Sequence, residues 1–153
     1  FLMTGWRLGW LLLPRGQLDA VGKLIEFNSS CAPVFVQQGG LQAVAMAETF
    51  VPQLVARLRA GRDALCPALA ALPGVQAATP QGGMYAWFRV QGLPAAGDSL
   101  AFAKHLVAAH GLGLAPGAAF GDEGEGWLRW CFASQDTARL LAGVQRLKSA
   151  LGL

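Results

Sequence analysis

Near its start the chain reads Met3-Thr4-Gly5-Trp6-Arg7-Leu8-Gly9-Trp10, within an apolar run that extends from Met3 to Leu13. Only Thr4 and Arg7 interrupt this run with polar side chains, and Pro14-Arg15-Gly16 ends it. A continuous apolar run bounded by turn residues is typical of a strand in a parallel sheet that is covered on both faces. We therefore predict a buried strand from Met3 to Leu13, in which the charge of Arg7 requires a partner.

Helical spacing of apolar residues follows the predicted strand. It indicates a first helix from Leu18, which the turn-forming residues Asn28-Ser29-Ser30 end, and a second helix from about Val34 to Ala47. The strongest pattern predicts a long helix from about Pro52 to Leu72, with Thr49 as a possible N-terminal cap.

The second half of the chain changes to short strands and helices in the order β-β-α-β-β-α, which is typical of a small α+β layer domain. Ser134 is expected to cap the last helix. The buried stripe of that helix is predicted to contain Leu140, Leu141, Val144, Leu147 and Leu151. The other predicted segments are strands at Val75 to Thr79, Met84 to Val90, Leu112 to Ala115 and Trp127 to Ala133, a helix from Ser99 to His110 that Gly111 ends, and loops around Pro94 and Gly97 and from Pro116 to Gly126.

Composition limits the class of protein. Hydrophobic residues make up 54% of the chain and charged residues only 14%, whereas charged residues make up about 25% of ordinary soluble chains. So few charges suit a piece of a larger protein whose other parts cover its apolar surface. The chain also begins at Phe1 within an apolar run, so we expect an internal start.

Several kinds of partner and site find no support in the sequence. No apolar stretch reaches the roughly 20 residues that span a bilayer, and the net charge of +3 comes from scattered residues. We therefore expect neither a membrane nor a nucleic-acid partner. Cys31, Cys66 and Cys131 are far apart without CxxC spacing, so we expect buried thiols and a cytoplasmic location. His105 and His110 are five apart on one predicted helix and are not expected to share a face, so no metal site is predicted.

Four motifs along the chain carry a resemblance to a known family. The opening segment Met3-Thr4-Gly5-Trp6-Arg7-Leu8-Gly9-Trp10 resembles the one that follows the cofactor-binding lysine in class I/II aminotransferases, which are fold type I enzymes dependent on pyridoxal phosphate. Three further segments follow in the order of that family: Pro80-Gln81-Gly82-Gly83-Met84-Tyr85, Pro116-Gly117-Ala118-Ala119-Phe120-Gly121 and Gly124-Glu125-Gly126-Trp127-Leu128-Arg129. The resemblance thus runs from the first residue to the last helix.

The resemblance implies an α/β fold class, namely the C-terminal part of the fold type I aminotransferase fold. This part comprises the last strand of the large domain, the interdomain helix and the small α+β domain. We expect residues 1–47 to end the large cofactor-binding domain with its connecting helices, and residues 48–153 to form the small domain. In the family the Schiff-base lysine lies about eight residues before the arginine of the opening motif, which places it before Phe1. No catalytic residue is therefore expected within the chain, which is expected to be inactive alone.

The resemblance also implies roles for three residues. Arg7 is expected to bind the phosphate of pyridoxal 5'-phosphate, and a planar bidentate arginine suits such a group. Arg129 is expected to bind the α-carboxylate of the substrate, which fixes the orientation of the Cα–H bond. Met84 is expected to contact the substrate side chain. From the residues alone, three alternatives remain open: an ion pair between Arg7 and a carboxylate, an Arg129 that reaches water at a strand edge, and a Met84 that fills the core.

The function implied is pyridoxal-phosphate-dependent transfer of an amino group between an amino acid and a 2-oxo acid, in a homodimer. Three alternatives stay open: a C–S lyase or decarboxylase of the same fold, an aminotransferase-like effector domain of a transcription regulator, or a piece that serves only folding or dimerisation. The assignment depends on Arg7 and Arg129 converging on one pocket.

Overall fold

The structure, a computed structural model, describes residues 1–91 and 98–153. The predicted loop around Pro94 and Gly97 lies outside the described residues. The chain divides into two compact units, residues 1–54 and residues 55–153.

Helices make up most of the first unit. The 3-10 turns Thr4–Trp6 and Arg15–Gln17 precede helix α1, Leu18–Ser29, and helix α2, Val34–Ala45, follows it. Helix α3, Ala47–Ala70, begins in this unit and continues into the second. Val36 and Gly40 of α2 are buried, whereas no residue of α1 is buried. The first two predicted helices are therefore confirmed.

The run from Met3 to Leu13 forms no strand, so that prediction is wrong. It contains the 3-10 turn Thr4–Trp6, which a hydrogen bond from Trp6 N to Met3 O closes at 3.0 Å. A strand requires a neighbouring strand that binds its backbone N–H and C=O groups. Among the described residues, no strand pairs with this run. Its residues are exposed or half-buried, because an apolar sequence does not by itself supply the layers that would cover it.

Helix α3 begins earlier than predicted. Only Met46 separates it from α2, and the Met46 carbonyl oxygen accepts hydrogen bonds from the backbone N–H groups of Thr49 and Phe50 at 3.2 and 3.0 Å. Thr49 therefore lies within the helix rather than at its cap, and its Oγ1 donates to the same carbonyl at 3.0 Å. The sequence pattern missed this start because α2 and α3 are nearly continuous.

A four-stranded antiparallel sheet and the helices that cover it form the second unit. Its strands are β1 Val75–Ala77, β2 Tyr85–Val90, β3 Ala115–Pro116 and β4 Trp127–Cys131, and their order in the sheet is β1-β2-β4-β3. In the register, Arg129 of β4 lies opposite Trp87 of β2 on one side and Ala115 of β3 on the other. The predicted order β-β-α-β-β-α is confirmed. After α3 the elements are β1, β2, α4 Ser99–His110, β3, the 3-10 turns Gly117–Phe120 and Asp122–Gly124, β4 and α5 Thr137–Ala150.

One face of this sheet packs into the core. Side chains alternate between the faces of a strand, so β2 buries Ala86, Phe88 and Val90 while β4 buries Leu128 and Trp130. Helices α3, α4 and α5 cover this face with apolar residues. Their buried residues are Leu65, Cys66, Leu69, Phe102, Ala103, Leu106, Leu140, Val144 and Leu147. The opposite face of the sheet remains outside the core.

Two details of α5 differ from the prediction. Its N-terminal cap is Asp136, whose Oδ1 accepts a hydrogen bond from Ala138 N at 2.9 Å. Ser134 instead bonds to the backbone of Asp136, because it lies too far from the first free N–H groups of the helix. Leu141 is 43% exposed although its neighbour Leu140 is only 5% exposed, since successive helix residues are rotated by about 100°.

Two expectations about cysteine and histidine are corrected. All three thiols are free, but only Cys66 is buried. Cys131 is exposed because it lies on the outer face of β4, and Cys31 is exposed in the connection between α1 and α2. The rings of His105 and His110 lie 5.4 Å apart at the end of α4, since flexible side chains can turn towards each other there.

Neither a metal cluster nor a membrane span occurs in the described ranges. No group of three or more His, Cys, Asp or Glu side chains among residues 1–91 and 98–153 could hold a metal ion. Within the same ranges, no helix combines the length and the apolar character needed to cross a bilayer.

Candidate active site

Trp6 and Leu8 anchor the segment around Arg7 on α2. A Cβ atom added to Gly39 would clash with the ring of Trp6, and one added to Gly40 would clash with the Leu8 side chain. The two glycines therefore let both side chains lie directly against the helix backbone. As a result Arg7 is held between two fixed neighbours within the first unit.

Arg7 adopts a left-handed backbone conformation, with φ 55° and ψ 38°, which costs an L-residue roughly 1–2 kcal/mol. Its guanidinium is exposed, and Nη1 donates to Thr4 O at 3.2 Å. Among the described residues, an ion pair forms between Arg62 and Asp63, and Arg7 takes part in no ion pair. The alternative in which a carboxylate neutralises Arg7 therefore finds no partner in residues 1–91 and 98–153.

The surroundings of Arg7 fit an anionic group. A shallow depression of about 350 Å³ is lined by Met3, Thr4, Arg7, Leu8 and Gly9. A Cβ atom added to Gly5 or Gly9 would meet no atom within 4 Å, so the space beside both glycines is open. The lining offers guanidinium donors and a threonine hydroxyl without an acidic side chain, and this chemistry suits a phosphate.

Arg129 lies half-buried on β4, on the outer face of the sheet. Its guanidinium carbon lies over the Tyr85 ring, 4.1 Å from the centroid, and over the Phe120 ring, 4.0 Å from the centroid. Tyr85 comes from β2, whereas Phe120 comes from the 3-10 turn Gly117–Phe120. Such contacts use the π face of the guanidinium and none of its five N–H donors. Among the described residues Arg129 forms neither a hydrogen bond nor an ion pair, so its donors are available to a ligand.

The rings beside Arg129 continue across the outer face of the sheet. Phe120 contacts Trp87 edge to face with centroids 5.7 Å apart, and Trp87 stacks on Trp127 at 6.0 Å. The guanidinium carbon of Arg89 lies 5.2 Å from the Trp127 centroid. We call Tyr85, Phe120, Trp87 and Trp127 the aromatic row. Arg129 lies at one end of this row and Arg89 lies at the other.

Close backbone contacts hold the loop that carries Phe120. Gly117 and Gly124 approach so closely that a Cβ atom added to either would clash with the backbone of the other. Ser99, at the start of α4, is 2% exposed, and its Oγ accepts a hydrogen bond from Ala118 N at 3.1 Å. The loop is therefore fixed both internally and to α4.

Glu125 makes a second connection between this loop and α4. Its Oε1 accepts hydrogen bonds from Ser99 N at 2.6 Å and from Gly126 N at 2.7 Å. The bond from Ser99, followed by that from Gly126, lowers the pKa of the Glu125 carboxyl, because both bonds stabilise its charged form.

Met84 does not fill the core, so that alternative is wrong. It is 37% exposed because it precedes β2 at the rim of the sheet, where its carbonyl oxygen accepts a hydrogen bond from Phe132 N at 2.9 Å. It borders a cavity of about 350 Å³ together with Val55, Leu58, Arg59, Arg62, Pro80, Gln81, Gly82, Gly83 and Phe132. Arg129 does not line this cavity, so the described part of the second unit does not bring Met84 and Arg129 into one cavity.

Tyr85 and Phe120 are site residues that the sequence analysis did not identify. Both lie in segments that carry the family resemblance, Pro80 to Tyr85 and Pro116 to Gly121. An aromatic residue in each segment was the available signal. Arg7 belongs to the first unit and Arg129 to the second, and their convergence on one pocket stays a prediction.

A family and several proteins are similar to this chain in sequence. The family described as aminotransferase class I and II matches residues 1–147. An aspartate aminotransferase from Musicola paradisiaca is 36% identical over 131 residues, which cover 86% of this chain and 32% of that protein. An LL-diaminopimelate aminotransferase from Desulforudis audaxviator is 31% identical over 150 residues, which cover 98% of this chain and 37% of that protein. The chain thus spans about a third of the length of the curated relatives it matches.

Solved structures show the same fold. An aminotransferase from Mycobacterium tuberculosis matches with a TM-score of 0.83 at 32% identity, over 98% of this chain and 38% of that one. An aromatic aminotransferase from Pyrococcus horikoshii matches with a TM-score of 0.84 at 25% identity, over 98% of this chain and 40% of that one. These matches confirm the predicted α/β fold class, a part of the fold type I aminotransferase fold. The chain belongs to the class I and II aminotransferase family.

Proposed function

We propose that the intact protein transfers an amino group between an amino acid and a 2-oxo acid. Pyridoxal 5'-phosphate is the cofactor of the family, and when bound it supplies the electron sink that lets an amino acid lose its α-proton. The observation that carries the proposal is the half-buried guanidinium of Arg129. Two rings hold it, and no acidic residue of the described ranges neutralises it.

Arg129 is assigned to the α-carboxylate of the substrate. A planar guanidinium can donate two parallel hydrogen bonds to the two carboxylate oxygens. Because these bonds fix the carboxylate, they also fix the direction of the Cα–H bond that must break. Met84 is assigned to the substrate side chain, since it is partly exposed and its thioether adapts to different apolar shapes.

Arg7 is assigned to the phosphate of the cofactor. This phosphate carries roughly −1.5 to −2 charges near neutral pH, and an arginine stays protonated at any working pH. Thr4 lines the same depression and adds a hydroxyl donor. The left-handed backbone of Arg7 also supports a functional role, since strained conformations cluster at ligand-binding positions.

The proposal extends to the organisation of the whole protein. Residues 1–47 are assigned to the end of a large cofactor-binding domain and residues 48–153 to a small domain. Trp10, Leu12 and Phe27 are 64%, 94% and 89% exposed, and such apolar side chains support burial against further parts of the protein or against the second copy of a homodimer. Three free thiols support a location in the reducing cytoplasm.

Replacing Arg129 tests this function in the intact protein supplied with pyridoxal phosphate. The substitution Arg129→Ala removes charge-assisted hydrogen bonds worth about 1.5–3 kcal/mol, so kcat/KM should fall about ten- to hundred-fold. The assay measures glutamate formed from 2-oxoglutarate with a panel of amino acids as donors. Arg139→Ala is the control, because Arg139 is an exposed arginine of α5 that contacts neither ring.

The same assay separates the competing functions. An unchanged kcat/KM in Arg129→Ala would give Arg129 a structural role only. Wild-type protein that forms sulfide, ammonia or carbon dioxide without glutamate would instead be a C–S lyase or a decarboxylase of the same fold. Nothing in the described residues favours these reactions over transamination.

A further inference from the structure

We infer that Tyr85 and Phe120 are positioning residues, which hold the Arg129 guanidinium so that its N–H donors face a substrate carboxylate. This inference rests on the function proposed above, in which Arg129 binds that carboxylate. The two rings contact Arg129, and the effect inferred for them on the reaction passes through Arg129.

The free donors of Arg129 are the first support. Some other arginines of the described ranges donate to protein groups: Arg62 binds Asp63, Arg89 binds Gln76, and Arg146 binds Gly111 O. Arg129 has only the two ring contacts, at 4.1 and 4.0 Å. The side chain of Arg129 is partly exposed, so these unused donors are open to a ligand. A planar anion that accepts two hydrogen bonds, such as a carboxylate, suits the donors of a guanidinium.

The second support is that Phe120 is itself held in place. The Phe120 ring contacts Trp87 edge to face at 5.7 Å, and Trp87 lies directly opposite Arg129 in the sheet register. The loop that carries Phe120 is closed by the contact between Gly117 and Gly124. A ring that could move freely would not direct a guanidinium, whereas a ring fixed by both sheet and loop can do so.

Matched substitutions separate ring contact from side-chain volume. Phe120→Leu and Tyr85→Leu remove a ring but keep an apolar side chain, whereas Phe120→Tyr and Tyr85→Phe keep the ring. Both positions are partly exposed, at 47% and 40%, so none of these changes opens a cavity in the core. Phe120→Met is a second ring-free variant in case Phe120→Leu does not fold.

The experiment uses the intact protein loaded with its cofactor and has two readouts. One is kcat/KM for the amino-acid donor, and the other is the inhibition constant of propionate, a carboxylate that lacks an amino group. Cation–π contacts of the usual strength predict that each leucine variant lowers kcat/KM and raises the inhibition constant of propionate, each by about 2- to 30-fold. The variants that keep the ring should behave as wild type. In the leucine variants, KM should change more than kcat.

A double-mutant cycle decides whether Phe120 acts through Arg129. In the Arg129→Ala background, Phe120→Leu should have almost no further effect on either readout. The same loss in both backgrounds would overturn the inference and leave Phe120 a structural residue. An Arg129→Ala protein with unchanged propionate inhibition would instead refute the carboxylate role of Arg129 itself. If Arg129→Ala weakens inhibition but neither leucine variant does, the positioning role fails while the proposed function stands.

Discussion

Glu125 is the residue whose charge matters most for the loop that carries Phe120. Its carboxylate accepts hydrogen bonds from Ser99 N and Gly126 N, which lower its pKa. A carboxyl group whose folded pKa is lowered stabilises the fold fully above its unfolded pKa, which is about 4.3 for glutamate. This stabilisation is lost as the pH falls through the folded pKa, because protonation then removes the charge that both N–H groups bind.

We therefore expect Glu125→Gln to lower the thermal midpoint at neutral pH but not in acid. Glutamine can still accept both hydrogen bonds, but it lacks the charge, so the gap to wild type should close as the pH falls below about 4. Thermal unfolding at a series of pH values measures this gap. Glu123→Gln is the control, since the Glu123 carboxylate forms no hydrogen bond within the described residues. A gap that stays constant with pH would contradict the expectation.

At the residue scale, the sequence distinguishes two charged residues but does not predict what surrounds them. Arg7 and Arg129 stand out because each is a charge within an apolar segment. The ring of Phe120 reaches Arg129 only through the two 3-10 turns of the loop and the register of β2 on β4. Neither feature has a periodic pattern, so sequence spacing cannot predict the contact.

Helix α5 shows at the element scale how finely periodicity predicts burial. The predicted stripe included Leu140, Leu141, Val144 and Leu147, and three of these are buried whereas Leu141 is 43% exposed. An apolar stripe of two neighbouring residues is wider than the contact that the helix makes with the sheet. The pattern therefore predicted the face that packs but not its edge.

We expect Leu147→Ala and Leu141→Ala to differ strongly in stability. Leu147 is fully buried in the core, so its truncation should cost about 2–5 kcal/mol of the free energy of unfolding. Leu141 lies on the same helix and undergoes the same chemical change, but its truncation should cost only about 0.5 kcal/mol. Urea unfolding followed by fluorescence measures both. Equal losses would mean that the exposed edge of α5 is buried in solution.

A sequence pattern also failed to predict the structure of the segment from Met3 to Leu13. Its apolar run predicted a strand, yet backbone hydrogen bonds of a strand come from a neighbour and not from the segment itself. The described residues supply no such neighbour. Helices α1, α2 and α4 were predicted closely, because a helix satisfies its backbone groups within its own sequence.

At the scale of the whole molecule, burial is distributed unequally. The core cluster runs from Leu65 to Leu147 and lies entirely in the second unit. In residues 1–54, only Val36 and Gly40 are buried. Because buried apolar area is the main source of stability, the two units should resist opening to different degrees.

Hydrogen exchange of the 153-residue chain should therefore divide at the boundary near residue 54. Amides of β2, β4 and α5 should exchange slowest, since they open only when the core unfolds, whereas those of α1, where no residue is buried, should exchange through local opening of much lower free energy. Exchange followed by mass spectrometry in native buffer measures both. The internal control is α4, an α-helix of 12 residues like α1, but with Phe102 and Leu106 in the core. Equal protection of α1 and α4 would show that helical hydrogen bonding, rather than burial, sets the local stability of this chain.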